Sequence, residues 1–184
     1  MGAITTYTGH KFDPANPKRE ALDIRDIAHA LSLTCRGNGH VKHFYSVGQH
    51  CIMCAREAMA RGYSERVVLG CLLHDASEAY MSDVPRPFKE MLPEYVKLEE
   101  KLIDLIYRRF IGTTLSEEEM KLVRKVDDDV LYYDMMTLFG IPWGEKSELE
   151  IEPDYSLHSF EEVEKTYLEM FSLYATNIEK QMDI

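Results

Sequence analysis

His74 and Asp75 stand side by side at the end of an apolar run made of Val67, Val68, Leu69, Cys71, Leu72 and Leu73. Glu78 follows one helical turn later, three residues from Asp75 and four from His74, and Asp83 comes after it. A carboxylate on a buried helix face costs several kcal/mol unless it is paired or metal-bound. Asp127 repeats the situation: it lies four residues after Val123 and three before Val130, on the apolar face of "LVRKVDDDVLYYD". Asp134 is two turns further along the same side, and Asp128 and Asp129 are read as solvated. His50 lies three residues after Val47 and four before Cys54, so it also points inward, while His40 and His43 compete with it from the preceding loop. Taken singly, each has a structural use, because an inward histidine is more often a satisfied core residue than a ligand. Together, two imidazoles and two carboxylates from three helices suit a divalent transition metal. Such an ion lowers the pKa of a bound water to about 7 and neutralises a phosphate oxygen.

These residues need helices to position them, and helix signals dominate the chain. Residues 1–20 read as an extended or irregular lead-in broken by Gly9, Pro14 and Pro17. "DIRDIAHALS" puts Ile24, Ile27, Ala28 and Leu31 on one face, and "RGNGH" (36–40) is a loop. Ser46 with Gln49 forms a capping box for a helix ending near Gly62. Ser64 caps a helix expected to run to about Tyr80, before Pro85, Pro87 and Pro93 break the chain. A long helix is predicted over about 94–110. Ser116 with Glu119 caps another that ends at Gly140, and Ser159 with Glu162 caps a final one reaching about Lys180. The expectation is a single all-α domain over 1–184, a compact bundle of six or seven helices.

The 184 residues are 45% hydrophobic and 29% charged, which is ordinary globular composition. The net charge of −11 argues against binding a nucleic-acid polymer, although a metal with a few cations could still hold a small anion. No apolar run approaches the roughly 20 residues that span a bilayer, so no membrane partner is expected. No signal peptide is visible, and Cys35, Cys51, Cys54 and Cys71 read as reduced thiols, with Cys51 and Cys54 as small core residues; both point to the cytoplasm. Trp143 and the Tyr132/Tyr133 pair could stack on a base, with core packing the commoner use of such rings.

The pattern His50 … His74-Asp75 … Asp127 resembles the HD-domain metal-dependent phosphohydrolases. "YSVGQHC", "LLHDASEAY", "SDVPRPFK" and "LVRKVD" extend the likeness to small single-domain HD nucleotidases over about residues 5–140. That group includes bacterial 5'-deoxynucleotidases, phage dATP triphosphohydrolases and the phosphohydrolase of oxetanocin A biosynthesis. The resemblance implies an HD helical bundle in which His50, His74, Asp75 and Asp127 hold one divalent ion, Co²⁺, Mn²⁺ or Mg²⁺. Glu78 and Asp83 would take acid/base positions, and Arg36 and Lys89 would bind substrate phosphate, with Arg36 expected to matter little to ligand-free stability. No histidine occurs between His74 and His158, which fits one metal rather than two or three. The implied activity is removal of phosphate from (deoxy)nucleotides, adenine-type mono-, di- or triphosphates foremost. One alternative is one-step release of triphosphate; others are a catalytically silent nucleotide-binding module and a plain helical interaction domain. Small HD nucleotidases commonly associate, so the resemblance is also compatible with a homo-oligomer.

Overall fold

All three capping boxes form. Ser46 Oγ accepts from Gln49 N at 3.1 Å while Gln49 Oε1 accepts from Ser46 N. Ser116 with Glu119 and Ser159 with Glu162 make the same reciprocal pairs. They open α2 (Val47–Ala60), α7 (Glu117–Asp134) and α8 (Phe160–Met182). The computed structural model describes residues 2–142 and 144–182, with side chains up to Ala175; Trp143 lies outside the described residues. Among the described residues the chain is an all-α bundle: α1 (Ile24–Leu33), α2, α3 (Glu65–Leu73), α4 (Glu78–Met81), α5 (Arg86–Lys89), α6 (Pro93–Phe110), α7 and α8. The lead-in is more ordered than its sequence suggests, because Ile4–Thr5 pairs antiparallel with Lys11–Phe12 and buries Phe12 in the core.

α2 and α3 form the centre of the bundle. α7 and α8 pack on α3, and α1 packs on α2 and α8. Gly48 permits the α1–α2 approach: a Cβ there would stand 3.2 Å from the Leu31 carbonyl carbon and 3.0 Å from Val163 Cγ1. Ile27, Leu31, Val47, Cys51, Leu69, Leu72, Leu73, Val126 and Val130 fill the space between these helices.

The predicted helix from Ser64 to about Tyr80 is broken. α3 stops at Leu73, and residues 74–77 form tight turns in which Ala76 N donates to Leu73 O and Glu78 N to Asp75 O, before α4 resumes. The carbonyls that a continuing helix would have engaged find other donors. His74 Nδ1 donates to Cys71 O at 2.7 Å, and Tyr167 OH, from α8, donates to Leu72 O at 2.7 Å. Beyond α4, Ser82 adopts φ 70°, a left-handed value that is strained for a non-glycine residue. There the chain turns back, and Tyr95 OH holds the turn by donating to Met81 O and Ser82 O. α7 continues through a π-turn over Met135–Phe139 and ends at Gly140, as expected.

The connector after the π-turn is tied back to α2. Glu57, fully buried on α2, accepts from Arg61 and from the backbone N–H groups of Glu150 and Ile151. Asp129 belongs to the same lattice. It was expected in solvent, but it is buried, with Arg61 at 2.9 Å and Lys125 at 2.9 Å. Arg61, one helix away, turns an apparently outward carboxylate into a covered one.

Candidate metal centre

The first turn of α2, the turn after α3 and the middle of α7 converge. His50 Nε2 lies 3.1 Å from Asp127 Oδ1, and His74 Nε2 lies 3.3 Å from Asp75 Oδ2 and 3.5 Å from Asp127 Oδ1. The two imidazole centroids are 5.2 Å apart. Adjacent residues on a helical turn diverge by about 100°, and His74 Nε2 stands between the two carboxylates, reaching toward Asp75 on one side and Asp127 on the other.

The donors suit a cation. In its neutral form His74 carries its proton on Nδ1, bonded to Cys71 O, which leaves the Nε2 lone pair turned toward the carboxylates. Buried Glu78 Oε2 lacks a hydrogen-bond partner among the described residues, and the buried His50 Nδ1 and His74 Nε2 meet only carboxylates, Asp134 at 2.9 Å and Asp75 at 3.3 Å. Imidazole nitrogens and carboxylate oxygens gathered so closely in a buried place are the donor set a divalent ion takes. The ligand atoms of His50, Cys54, His74 and Asp127 lie within 4.8 Å of one another, as do those of Cys51, His74 and Asp75. The described residues therefore hold a possible metal site of His, Cys and Asp groups.

Its electrostatics agree. Burial disfavours charge on His74, yet Asp75, Cys51 and Asp127 carry its pKa well above the ordinary imidazole value. Burial opposes the His50 charge too, and Cys54, Asp134 and Asp127 outweigh it. Asp127 stays well below the usual carboxylate range despite burial, because His50 bonds to it and the His74 imidazole lies 3.5 Å away. Burial also works against Asp75, but His74 and Arg36 lower its pKa. Glu78 goes the other way: burial first, then the charges of Asp75 and Asp83, push it well above an ordinary glutamate. These opposite shifts set a carboxyl that holds its proton more readily beside carboxylates that release theirs more readily.

The other predicted residues sit around this cluster on a cavity of about 580 Å³. Arg36, Glu78, Asp83 and Lys89 all line it, with Leu131, Met135 and Phe139 making an apolar wall. Asp83 Oδ2 accepts from Gly37 N at 3.1 Å, so it secures the Arg36 turn as well as facing the cavity. Lys89 Nζ donates to Glu99 at 2.7 Å and lies 3.8 Å from Glu78. Arg36 is not the surface residue its loop suggested: its side chain is 14% exposed, 3.1 Å from Asp134 and 3.5 Å from Asp75. The turn around it needs Gly37, which has φ +55°; a Cβ there would stand 2.5 Å from the Phe139 ring. His40 borders the cavity, and His43 instead contacts Tyr155 O. Tyr132 and Tyr133 stack edge to face, with Tyr133 OH donating to Ser147 O, away from the cavity lining.

Asp134, Cys54 and Cys51 were missed as site residues. Asp134 is 1% exposed, 2.9 Å from His50 Nδ1, and accepts from Tyr155 OH at 3.0 Å. Its spacing of seven from Asp127 was the available signal. Cys54 lies one turn from His50, with Sγ 3.5 Å from Nε2. It is buried as expected, but beside His50, His74 and Asp127 rather than only among apolar side chains.

No protein-family model matches the chain. Its similarity is to individual bacterial proteins. An uncharacterized protein of Escherichia coli K12, YfdR, is 39% identical over 112 residues, 61% of this chain and 60% of that protein. An uncharacterized protein of Rhodobacter capsulatus is 35% identical over 129 residues, 67% of this chain and 65% of the other. A 5'-deoxynucleotidase of Vibrio vulnificus is 27% identical over 135 residues, 64% of this chain and 59% of that enzyme. The chain thus spans less than two thirds of the length of the curated relatives it matches. Among the described residues no helix is long and apolar enough to cross a membrane.

Proposed function

We propose that the chain is a single HD-type domain that removes phosphate from nucleotides with the help of one divalent metal ion. The observation that carries the proposal is the buried convergence of His50, His74, Asp75 and Asp127, with His74 Nε2 between the two carboxylates, beside a cavity large enough for a nucleotide. The similarity to the Vibrio 5'-deoxynucleotidase supports the substrate class. The adenine-type preference rests on the resemblance of the sequence motifs alone.

In this scheme His50, His74, Asp75 and Asp127 hold the metal, with Co²⁺, Mn²⁺ and Mg²⁺ the candidates. A bound divalent ion would supply a water acidic enough to act near neutral pH and would neutralise a phosphate oxygen. The chain provides the rest. Glu78, buried and with a raised pKa, exchanges a proton with the water or leaving group, and Asp83 stands at the second acid/base position. Arg36 offers a two-point grip on phosphate oxygens, and Lys89 a point charge. The apolar wall of Leu131, Met135 and Phe139 gives a base or sugar a surface to lie on. Cytoplasmic location and association into a homo-oligomer are proposed on the sequence argument only.

The test is a panel of nucleoside mono-, di- and triphosphates with each of the three metals, reading both nucleoside and phosphate products. Metal-dependent release of orthophosphate is expected. Tripolyphosphate from a triphosphate would instead identify the one-step alternative. Metal and nucleotide binding without turnover of any substrate would point to a silent binding module, and absence of bound metal would remove the site.

A further inference from the structure

Three strong cations line the cavity, and they are not equally committed. Arg36 is nearly buried between Asp134 and Asp75, and Lys89 is 2.7 Å from Glu99 with Glu78 nearby. Arg86 differs. Its side chain is 61% exposed, and its Nη2 reaches Asp127 Oδ2 at 3.3 Å and Asp128 Oδ1 at 3.2 Å. Asp128 is itself 63% exposed, so that pair is a weak surface contact. Asp127 turns its other oxygen, Oδ1, toward both imidazoles. Arg86 therefore rests on the outer edge of the cluster, held by one exposed carboxylate and by one whose charge is already shared inward.

The backbone beneath it is constrained. Pro85 and Pro87 flank Arg86 and fix φ on either side, and the short helix α5 begins at Arg86. The long side chain is then the movable part, anchored at the cavity rim. A phosphate dianion placed beside Asp127 would offer Arg86 two oxygens in the planar geometry a guanidinium matches, in a site more enclosed than Asp128.

We propose that Arg86 is a phosphate-gripping arm that parks on Asp127 and Asp128 in the empty protein and transfers to the substrate's phosphate when a nucleotide binds. The role rests on the phosphohydrolase proposal above and adds to it a specific substrate-binding residue and a specific resting partner, Asp128.

The experiment is a double-mutant cycle read by calorimetry. The probe is a 5'-methylenephosphonate analogue of deoxyadenosine monophosphate, which keeps the phosphate charge but has no hydrolysable ester, added to the Co²⁺-loaded protein. Arg86→Ala should weaken binding about 10–100-fold, the size of a charge-assisted hydrogen bond. Arg86→Lys should recover only part of that loss. Asp128→Asn should tighten binding about 2–5-fold by removing a surface partner, and that gain should vanish in the Arg86→Ala background. Melting of the metal-free protein should change little in all of these variants, because the pair is exposed.

Unchanged affinity in Arg86→Ala, with the wild type binding the analogue, would overturn the arm and leave the phosphohydrolase proposal standing. An equal Asp128→Asn gain in both backgrounds would show a general charge effect and overturn the parking contact. A wild-type protein that takes up Co²⁺ but not the analogue would overturn the nucleotide proposal and the arm with it.

Discussion

Removing Asp75 and neutralising Glu78 should separate metal binding from turnover. Asp75→Ala deletes a carboxylate 3.3 Å from His74 Nε2, and bound metal is expected to fall at least 10–100-fold in affinity, read as metal content after dialysis. Glu78→Gln keeps size and loses the proton-exchanging group, so metal and nucleotide should still bind while turnover drops roughly 10²–10⁴-fold. A Glu78→Gln protein that loses its metal would make Glu78 a ligand instead. Arg36 calls for a different test from the one its loop sequence suggests. Its guanidinium is a partner of Asp134, itself 1% exposed, so Arg36→Ala removes one of the two cationic partners of a buried carboxylate and leaves it to His50 and the Tyr155 hydroxyl. Breaking a buried pair costs up to about 3–5 kcal/mol when nothing else compensates the charge, and the remaining partners put Arg36→Ala at the lower end, about 3 kcal/mol. At about 2–4 °C per kcal/mol for a chain of this size, the metal-free protein should melt roughly 6–12 °C lower. Asp134→Asn added to Arg36→Ala should restore part of that loss. An unchanged melting point in Arg36→Ala would mean the buried pair contributes nothing to the fold.

At the scale of elements, two helix ends and the body of a third helix form the candidate site, and each has its own cause. α2 starts where the Ser46–Gln49 box starts it, which puts His50 in the first turn. α3 ends where side chains from His74 and from α8 take its last carbonyls. α7 delivers Asp127 and Asp134 from one face. The position of α2 also depends on Gly48, two residues from His50 and against the Leu31 backbone. A backbone neighbour cannot move aside as a flexible side chain can. Gly48→Ala is expected to destabilise by about 1–3 kcal/mol through overpacking, visible in denaturant unfolding, and to weaken metal binding by displacing His50. Wild-type stability in Gly48→Ala would mean the α1–α2 contact is looser than its geometry indicates.

The molecule as a whole carries −11 charges, yet its centre gathers imidazoles whose pKa values lie above normal and aspartates whose values lie below. The two kinds of shift act on opposite sides of the pH scale. For His50 and His74, raised in the folded state, the stabilising contribution is fully present below the unfolded value near 6.5 and is lost as pH rises through the folded values. For Asp75, Asp127 and Asp134, lowered when folded, it is present above about 3.9 and lost as pH falls. Glu78, raised, adds a further loss of stability as pH climbs above its unfolded value. The metal-free protein should therefore be most stable in mildly acidic solution and weaken on the alkaline side. Metal binding replaces the imidazole protons, so it should release protons and strengthen as pH rises. Melting curves across pH with chelator and with Co²⁺ check both. An alkaline decline of the same size with and without metal would contradict the link.

The sequence by itself determined the helical class and most helix starts, because capping boxes and apolar periodicity are local and act within four residues. It also singled out His50, His74, Asp75 and Asp127, since titratable groups on apolar faces stand out against their neighbours. The break at residues 74–77 was not legible: the donors that end α3 include Tyr167, 95 residues from the carbonyl it takes. The burial of Arg36, Asp129 and Asp134 was hidden for the same reason, as their partners are Asp75, Arg61, His50 and Tyr155 on other segments. Whether a charge is solvated or paired depends on what the rest of the chain lays over it. Periodicity tells which way a side chain leaves its own helix; only the packed fold decides what it meets.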